Sequence, residues 1–210
     1  MRRRKFSEKC RILALYFRSY SFDSVIRSNV AKLLCTYDYS VMIECILYRM
    51  TYDRDYIVKL EAIDSLCIAR QTRSLQRIES LTKEKDCLLR AYAYMSLIDV
   101  VENRNIESEK RYYIEWVEKK IWREKSFKVR FMVMSELYIN GQNDYWKEIV
   151  RMIDHQIKKG LSDFWLITNV LEDLVDANNR VEVLEILQRI KSQISISSQK
   201  ERIEELEKIM

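Results

Sequence analysis

Asp86-Cys87-Leu88-Leu89-Arg90-Ala91-Tyr92-Ala93-Tyr94-Met95-Ser96-Leu97 is one version of a pattern that recurs along the chain. Asp55 to Leu66 repeats it thirty-one residues earlier, and Asp23 to Leu34 thirty-two before that. Two later copies, Ser126 to Leu137 and Asp163 to Leu174, keep the apolar slots at intervals of forty and thirty-seven residues. Self-similarity at such a period marks a stacked repeat protein, in which each unit buries its apolar face against its neighbours.

Counting the first residue as slot zero, that slot is acidic in four of the five copies, Asp23, Asp55, Asp86 and Asp163, with Ser126 in the other. These side chains suit a helix N-cap, where an oxygen accepts from the free N–H groups of the first turn. Slots three, seven and eleven read Ile26/Val30/Leu34, Val58/Ala62/Leu66, Leu89/Ala93/Leu97, Val129/Val133/Leu137 and Leu166/Val170/Leu174, one buried stripe of a helix. Slot four is basic in four copies, Arg27, Lys59, Arg90 and Arg130, with Ile167 in the fifth. Such a ladder either meets phosphate or acidic peptide, or pairs with a capping aspartate of an adjacent unit. The recurrence of acid and base in the same copies favours the pairing.

The aspartate, the aliphatic-basic pairs Ile26-Arg27, Val58-Lys59 and Leu89-Arg90, then a small residue and a leucine, resemble the second helix of HEAT repeats, particularly the short type found in phycobilin lyases. The likeness covers Asp23 to Leu97 well and Ser126 to Leu174 more loosely. It implies an all-α, right-handed α-solenoid of about five to six helical hairpins. HEAT-like domains include scaffolds, adaptors, lyase subunits and DNA glycosylases, and no catalytic motif of theirs is present to carry over.

Composition agrees with helices. There are no prolines and two glycines, Gly141 and Gly160, so turns that need positive φ are scarce. At 48% hydrophobic and 33% charged, without an apolar run near twenty residues, the chain is expected to be a soluble domain with no membrane span. A single domain over 1–210 is expected, with 1–5 as a basic tail and 198–210 as a C-terminal capping helix. The net charge of +5 is uneven: residues 1–35 hold nine Lys/Arg against Glu8 and Asp23, and the rest is near neutral. Five cysteines without a Cys-x-x-Cys pair point to free thiols in a cytoplasmic protein.

First helices of the hairpins are expected near 5–20, with Phe6, Cys10, Leu13, Phe17 and Tyr20 inward. Others follow near 40–50 (Val41, Ile43, Ile46, Leu47, Met50 inward), 72–82, and a longer 105–124 with Ile106, Tyr113, Trp116, Val117 and Ile121 inward. Asn140 to Asp144 reads as a turn, Lys159-Gly160 as a C-cap, and Ser198 with Glu201 as a capping box.

His155 is the only histidine, which excludes zinc sites built on two of them, and no phosphate-binding or calcium loop is present. Neither a catalytic residue, a metal set nor a cofactor is indicated. What remains is a binding surface. In a solenoid the second helices line the concave side, and slots two, six, nine and thirteen face out. Glu61, Asp64, Tyr92, Met95, Asp99, Met132, Trp165, Asn169 and Glu172 stand in that row, which holds five acids against two bases. It suits a basic protein partner with an apolar centre. The expected function is a non-catalytic interaction module, an adaptor or immunity-type protein engaging a cationic partner such as a nuclease. The alternative is a HEAT-like nucleic-acid binder or glycosylase-type enzyme using Arg2 to Lys5 and the basic ladder, with Trp165 and Asp163 near a lesion; a lyase-like pigment role follows from resemblance alone.

Overall fold

A computed structural model of the chain describes residues 2–176 and 179–210, residues 2–7 by their backbone alone. Among the described residues the protein is all-α, with no strand. The helices are α1 (Arg2–Arg18), α2 (Ser24–Leu34), α3 (Val41–Met50), α4 (Tyr56–Ser65), α5 (Thr72–Leu81), α6 (Cys87–Arg104), α7 (Glu107–Ile121), α8 (Phe127–Ile139), α9 (Tyr145–Lys158), α10 (Phe164–Leu174), α11 (Arg180–Gln193) and α12 (Ser197–Ile209), with a 3-10 turn at Leu66–Ile68. None of the described helices is long and apolar enough to cross a membrane.

The aspartates start the second helices as expected. Asp23 Oδ1 accepts from the Val25 N–H at 2.8 Å, Asp55 Oδ1 from Ile57 and Val58 at 3.0 and 3.2 Å, and Asp86 Oδ1 from Leu88 and Leu89 at 2.9 and 3.0 Å. Each neutralises donors that the first helical turn leaves open. The fifth copy departs. Asp163 has φ −107° and ψ 33°, away from the extended backbone of a cap.

The stripe at slots three, seven and eleven is buried through α4, α6 and α8. On α10 it rotates: Leu166 and Val170 are half-buried, while Phe164, Ile167, Leu171 and Leu174 form the buried face. Ile167 stands where earlier copies carry a base, so the apolar stripe takes in slot four and turns with it. On α2, Val30 and Leu34 are buried but Ile26 is 41% exposed.

The chain forms two compact units, one running to Val129 and one from Arg130. In the first, α2 packs on α4 and α4 on α6, so these helices lie side by side in chain order. Helix α1 packs on α2, α3 against α2 and α4, α5 against α3 and α6, and α7 on α6. In the second unit α12 packs on both α10 and α11, and α11 on α9.

Among the first helices α3 and α5 bury most of the residues expected, Ile43, Ile46, Leu47 and Met50 on α3 among them, and α7 buries some of them, whereas α1 buries a different face. Helix α1 turns Ile12, Leu15 and Ser19 inward, and Cys10, Leu13, Phe17 and Tyr20 outward. Its backbone takes in most of the expected basic tail at 1–5; the side chains of Arg2 to Phe6 lie outside the described residues. On α3, Val41 is exposed and Glu44 fully buried. Helix α7 buries Ile114, Val117 and Ile121, leaving Ile106 before its start and exposed. The forty-residue interval has two sources, because α6 runs to 18 residues and α7 to 15, against 10 or 11 in α2 to α5. Helix α12 begins at Ser197, whose hydroxyl donates to Glu201 at 3.1 Å in place of the expected box from Ser198.

Both glycines sit where only positive φ closes the helix, Gly141 at 92° and Gly160 at 87°. The Gln142 N–H then reaches back to the Leu137 carbonyl at 3.0 Å, and the Leu161 N–H to that of Gln156 at 2.9 Å, the six-residue closure of a left-handed C-cap. Gly141→Ala should cost about 1 kcal/mol even though its Cβ would meet nothing within 4 Å, because the strain is in the backbone. A urea midpoint unchanged by this substitution would contradict the assignment.

Candidate functional site

Three of the four bases of the ladder, Arg27, Arg90 and Arg130, are occupied by acids. Arg27 donates from Nε and Nη2 to the two carboxylate oxygens of Asp53 at 2.8 and 2.9 Å, and from Nη1 to the carbonyls of Ser21 and Phe22 at 2.8 and 3.0 Å. Arg90 repeats the arrangement: it reaches Glu124 at 3.2 and 3.3 Å and the carbonyls of Glu84 and Lys85, both at 2.8 Å. In the second unit Arg130 donates to Glu148 at 3.0 Å. The acid is not the capping aspartate. Asp53 and Glu124 each lie two residues before the next copy's cap, and each also takes the N–H of that cap, Asp55 and Ser126, at 2.8 Å. Arg27 therefore ties the first copy to the second and Arg90 the third to the fourth, and their charges are spent inside the fold.

The outward row divides in the same way as the chain. In the first unit Glu61, Tyr92, Met95 and Asp99 are half-buried and Asp64 is exposed. Asp64 is reached by solvent, yet protein crowds it on enough sides to push its carboxyl up; the like charge of Glu61 adds to the rise and Lys32 opposes it. Burial, with the charges of Asp64 and Glu61, also raises the Tyr92 hydroxyl. Cys67 is pushed up to about 12 by burial, then by Asp99, Cys35 and Asp64. These mutual effects bring Lys32, Glu61, Asp64, Cys67, Tyr92 and Asp99 within reach of one another's charges on α2, α4, the 3-10 turn and α6, with the Asp64 carboxylate held at a cost. A thiol shifted this far upward is not a nucleophile near neutral pH.

In the second unit the row is partly buried and partly engaged by a neighbouring helix. Met132 is buried at 8% exposure, so it presents nothing to solvent. Arg202 on α12 donates to Asn169 at 3.1 Å and makes a short hydrogen bond to Glu172, which engages both residues. Trp165 remains 51% exposed, edge-on to Phe164 at 5.2 Å. The terminal helix explains the difference: it packs on α10 and supplies the arginine, which the slot pattern of α10 alone does not show.

Catalytic chemistry has no matching cluster. His155 is exposed in the last turn of α9, and the adjacent Asp154 pairs with Arg189 at 2.6 Å. All five cysteines are free, and among the described residues no three His, Cys, Asp or Glu side chains gather as a metal site.

Two polar arrangements escaped the sequence reading. The side chain of Glu44 is completely buried and accepts from the Tyr39 hydroxyl at 2.8 Å and from the N–H groups of Arg70 and Gln71 at 3.1 and 2.9 Å, closing the start of α5. The other recurs with the period of the fold: Tyr16…Ser19-Tyr20 and Tyr48…Thr51-Tyr52 end α1 and α3, thirty-two residues apart. Arg49 from α3 bonds Ser19 and lies 3.9 Å from the Tyr20 ring centre, while Arg77 from α5 bonds Thr51 at 3.0 Å and lies 3.8 Å from the Tyr52 ring centre. The repeated Tyr-x-x-Ser/Thr-Tyr was the available clue.

Neither a protein-family model nor any curated protein sequence matches the chain. Among solved structures, the crystal structure of an engineered protein is similar over 94% of this chain and 96% of its own, at 14% identity and a TM-score of 0.43.

Proposed function

We propose that the protein is a HEAT-like α-solenoid acting as a non-catalytic interaction module, of adaptor or immunity type, which receives a basic protein partner on the row formed by Glu61, Asp64, Tyr92, Met95 and Asp99. The observation that carries this reading is the placement of Glu61 and Asp64 on α4, which packs on α6 with its Tyr92, Met95 and Asp99; crowding by protein and the like charge of Glu61 also push the Asp64 carboxyl up. Carboxylates in that state gain most from an arriving ammonium or guanidinium, which relieves both the repulsion and the lost hydration. Tyr92 and Met95 supply apolar contact beside the charge. The nucleic-acid alternative loses three of the four bases of the ladder on which it leaned, since Arg27, Arg90 and Arg130 are committed to Asp53, Glu124 and Glu148.

A lysine-flanked amphipathic helical peptide, labelled for fluorescence anisotropy, is the test. It should bind the full chain, more weakly as salt rises, and the triple variant Glu61→Gln/Asp64→Asn/Tyr92→Ala should lose about tenfold or more in affinity while melting close to wild type. Equal binding by wild type and variant would refute the assignment, and salt-steep binding of a single-stranded oligonucleotide in place of the peptide would favour the alternative.

A further inference from the structure

The first hairpin differs from the two after it in what covers its leading edge. Slots three and ten are buried in the second and third copies, as Val58 and Ser65 on α4 and as Leu89 and Ser96 on α6. The Ser96 hydroxyl donates to the Ile63 carbonyl at 2.6 Å, so slot ten is where α6 meets the helix of the preceding copy. On α2 the same slots hold Ile26 and Leu33, which are 41% and 48% exposed. Val25 on α2 and Phe22 in the turn before it are 64% and 97% exposed, and α1, packed on α2, adds Leu13 and Phe17. Six large apolar side chains on two adjoining helices and the turn between them exceed the scatter expected of a wet surface.

Two observations narrow what covers this edge. Where copies pack closely, slot ten is a serine, small enough to let the helices approach and able to bond the neighbouring backbone. Leu33 fills that space, so another hairpin in the same close register does not fit, whereas a single helix laid against Phe22, Ile26 and Leu33 does. The second is charge. Lys9, Arg11, Arg18 and Lys32 are exposed on the same two helices, and Glu8 and Asp23 are the only acids up to residue 35. Such a rim repels a second copy of itself and attracts an acidic partner.

We infer that the open edge of α1 and α2 docks an amphipathic helix of a partner protein whose apolar stripe is flanked by aspartate and glutamate. Phe22 and Leu33 are its apolar anchors, and Arg18 and Lys32 contribute to the basic rim. Lys32 borders both this surface and the acidic row on α4 and α6, but the anchors Phe22 and Leu33 stand outside that row and the rim takes the opposite charge, so a chain with both bridges partners of unlike sign.

The full chain is titrated against a labelled helical peptide bearing leucines at i, i+3, i+4 and i+7 with glutamates on the flanks. Binding is expected, weakened about tenfold or more by Phe22→Ser/Leu33→Ser and unaffected by Glu61→Gln/Asp64→Asn/Tyr92→Ala. The serine variant changes exposed residues, so its melting curve should overlay wild type. No binding of the glutamate peptide, or binding that Phe22→Ser/Leu33→Ser leaves intact, overturns the inference. So does a dimer in sedimentation velocity that the same variant dissolves, which would give the edge to a second copy, or adsorption to phosphatidylserine vesicles without peptide binding, which would give it to a membrane.

Discussion

Glu44→Ala is expected to lower the unfolding free energy by about 3 kcal/mol, although Glu44 touches no candidate binding surface. Its carboxylate is completely buried and accepts three hydrogen bonds, two from the N–H groups that open α5 and one from Tyr39. Truncation leaves those donors without a partner in a dry place, and the loss is their desolvation more than the bonds themselves. Burial alone would raise the Glu44 carboxyl, but the donors prevail and hold it below the ordinary glutamate range; the buried Ser74 hydroxyl adds its dipole without a formed hydrogen bond. A carboxyl lower in the folded state than in the unfolded one contributes stability that is complete above about pH 4.5 and lost as pH falls through the folded value. Urea unfolding from pH 7 to pH 3 should show wild type weakening on that acid limb and Glu44→Ala weakening less steeply. A midpoint within error of wild type at pH 7 would show that water replaces the carboxylate at little cost.

Arg27→Met should cost a further 3 kcal/mol or so, measured against wild type, for a different reason. The side chains of Arg27 and Asp53 are 7% and 11% exposed, and every nitrogen of the guanidinium is engaged by Asp53 or by the Ser21 and Phe22 carbonyls. Without the arginine, Asp53 keeps its charge in a poorly hydrated turn with little beyond the Asp55 N–H to satisfy it. The double variant Arg27→Met/Asp53→Leu should recover much of the loss, because an apolar pair of similar volume carries no desolvation penalty. Burial would raise Asp53, whereas the Arg27 hydrogen bond and the Asp55 N–H bring it below an ordinary aspartate. In Arg27→Met that lowering is lost, so the difference in stability from wild type should shrink as pH falls below the ordinary aspartate range. Single substitutions that simply add in the double variant would mean that the pair is not coupled.

Arg27 also marks how far the chain's pattern could be followed. Its recurrence with Arg90 and Arg130 was visible, and pairing was preferred to phosphate binding on that ground. The sequence pattern puts the acid two residues too late, at the cap, because Asp53 and Asp55 are equally acidic and only the path of the turn brings Asp53 under the guanidinium. Met132 failed as a surface residue, and Asn169 and Glu172, though at the surface, are engaged within the fold, for a similar reason. Their slot follows from helical spacing, but Met132 is buried and α12 supplies the arginine that engages the other two. In the first unit the same spacing did bring Glu61, Asp64, Tyr92 and Asp99 together.

Local chemistry was enough to establish that the chain is helical, where most helices begin, and which glycines end them. Caps, the 3.6-residue period and positive φ involve residues within a turn or two of one another. Which side of an amphipathic helix is buried was left to the tertiary structure wherever two stripes were greasy enough to serve. Helix α1 buries Ile12 and Leu15 and exposes Leu13 and Phe17, and Glu44 goes inside against every expectation for its residue type. Those outcomes depend on which neighbour arrives and what hydrogen bonds it brings, a property of contacts between residues far apart in the chain.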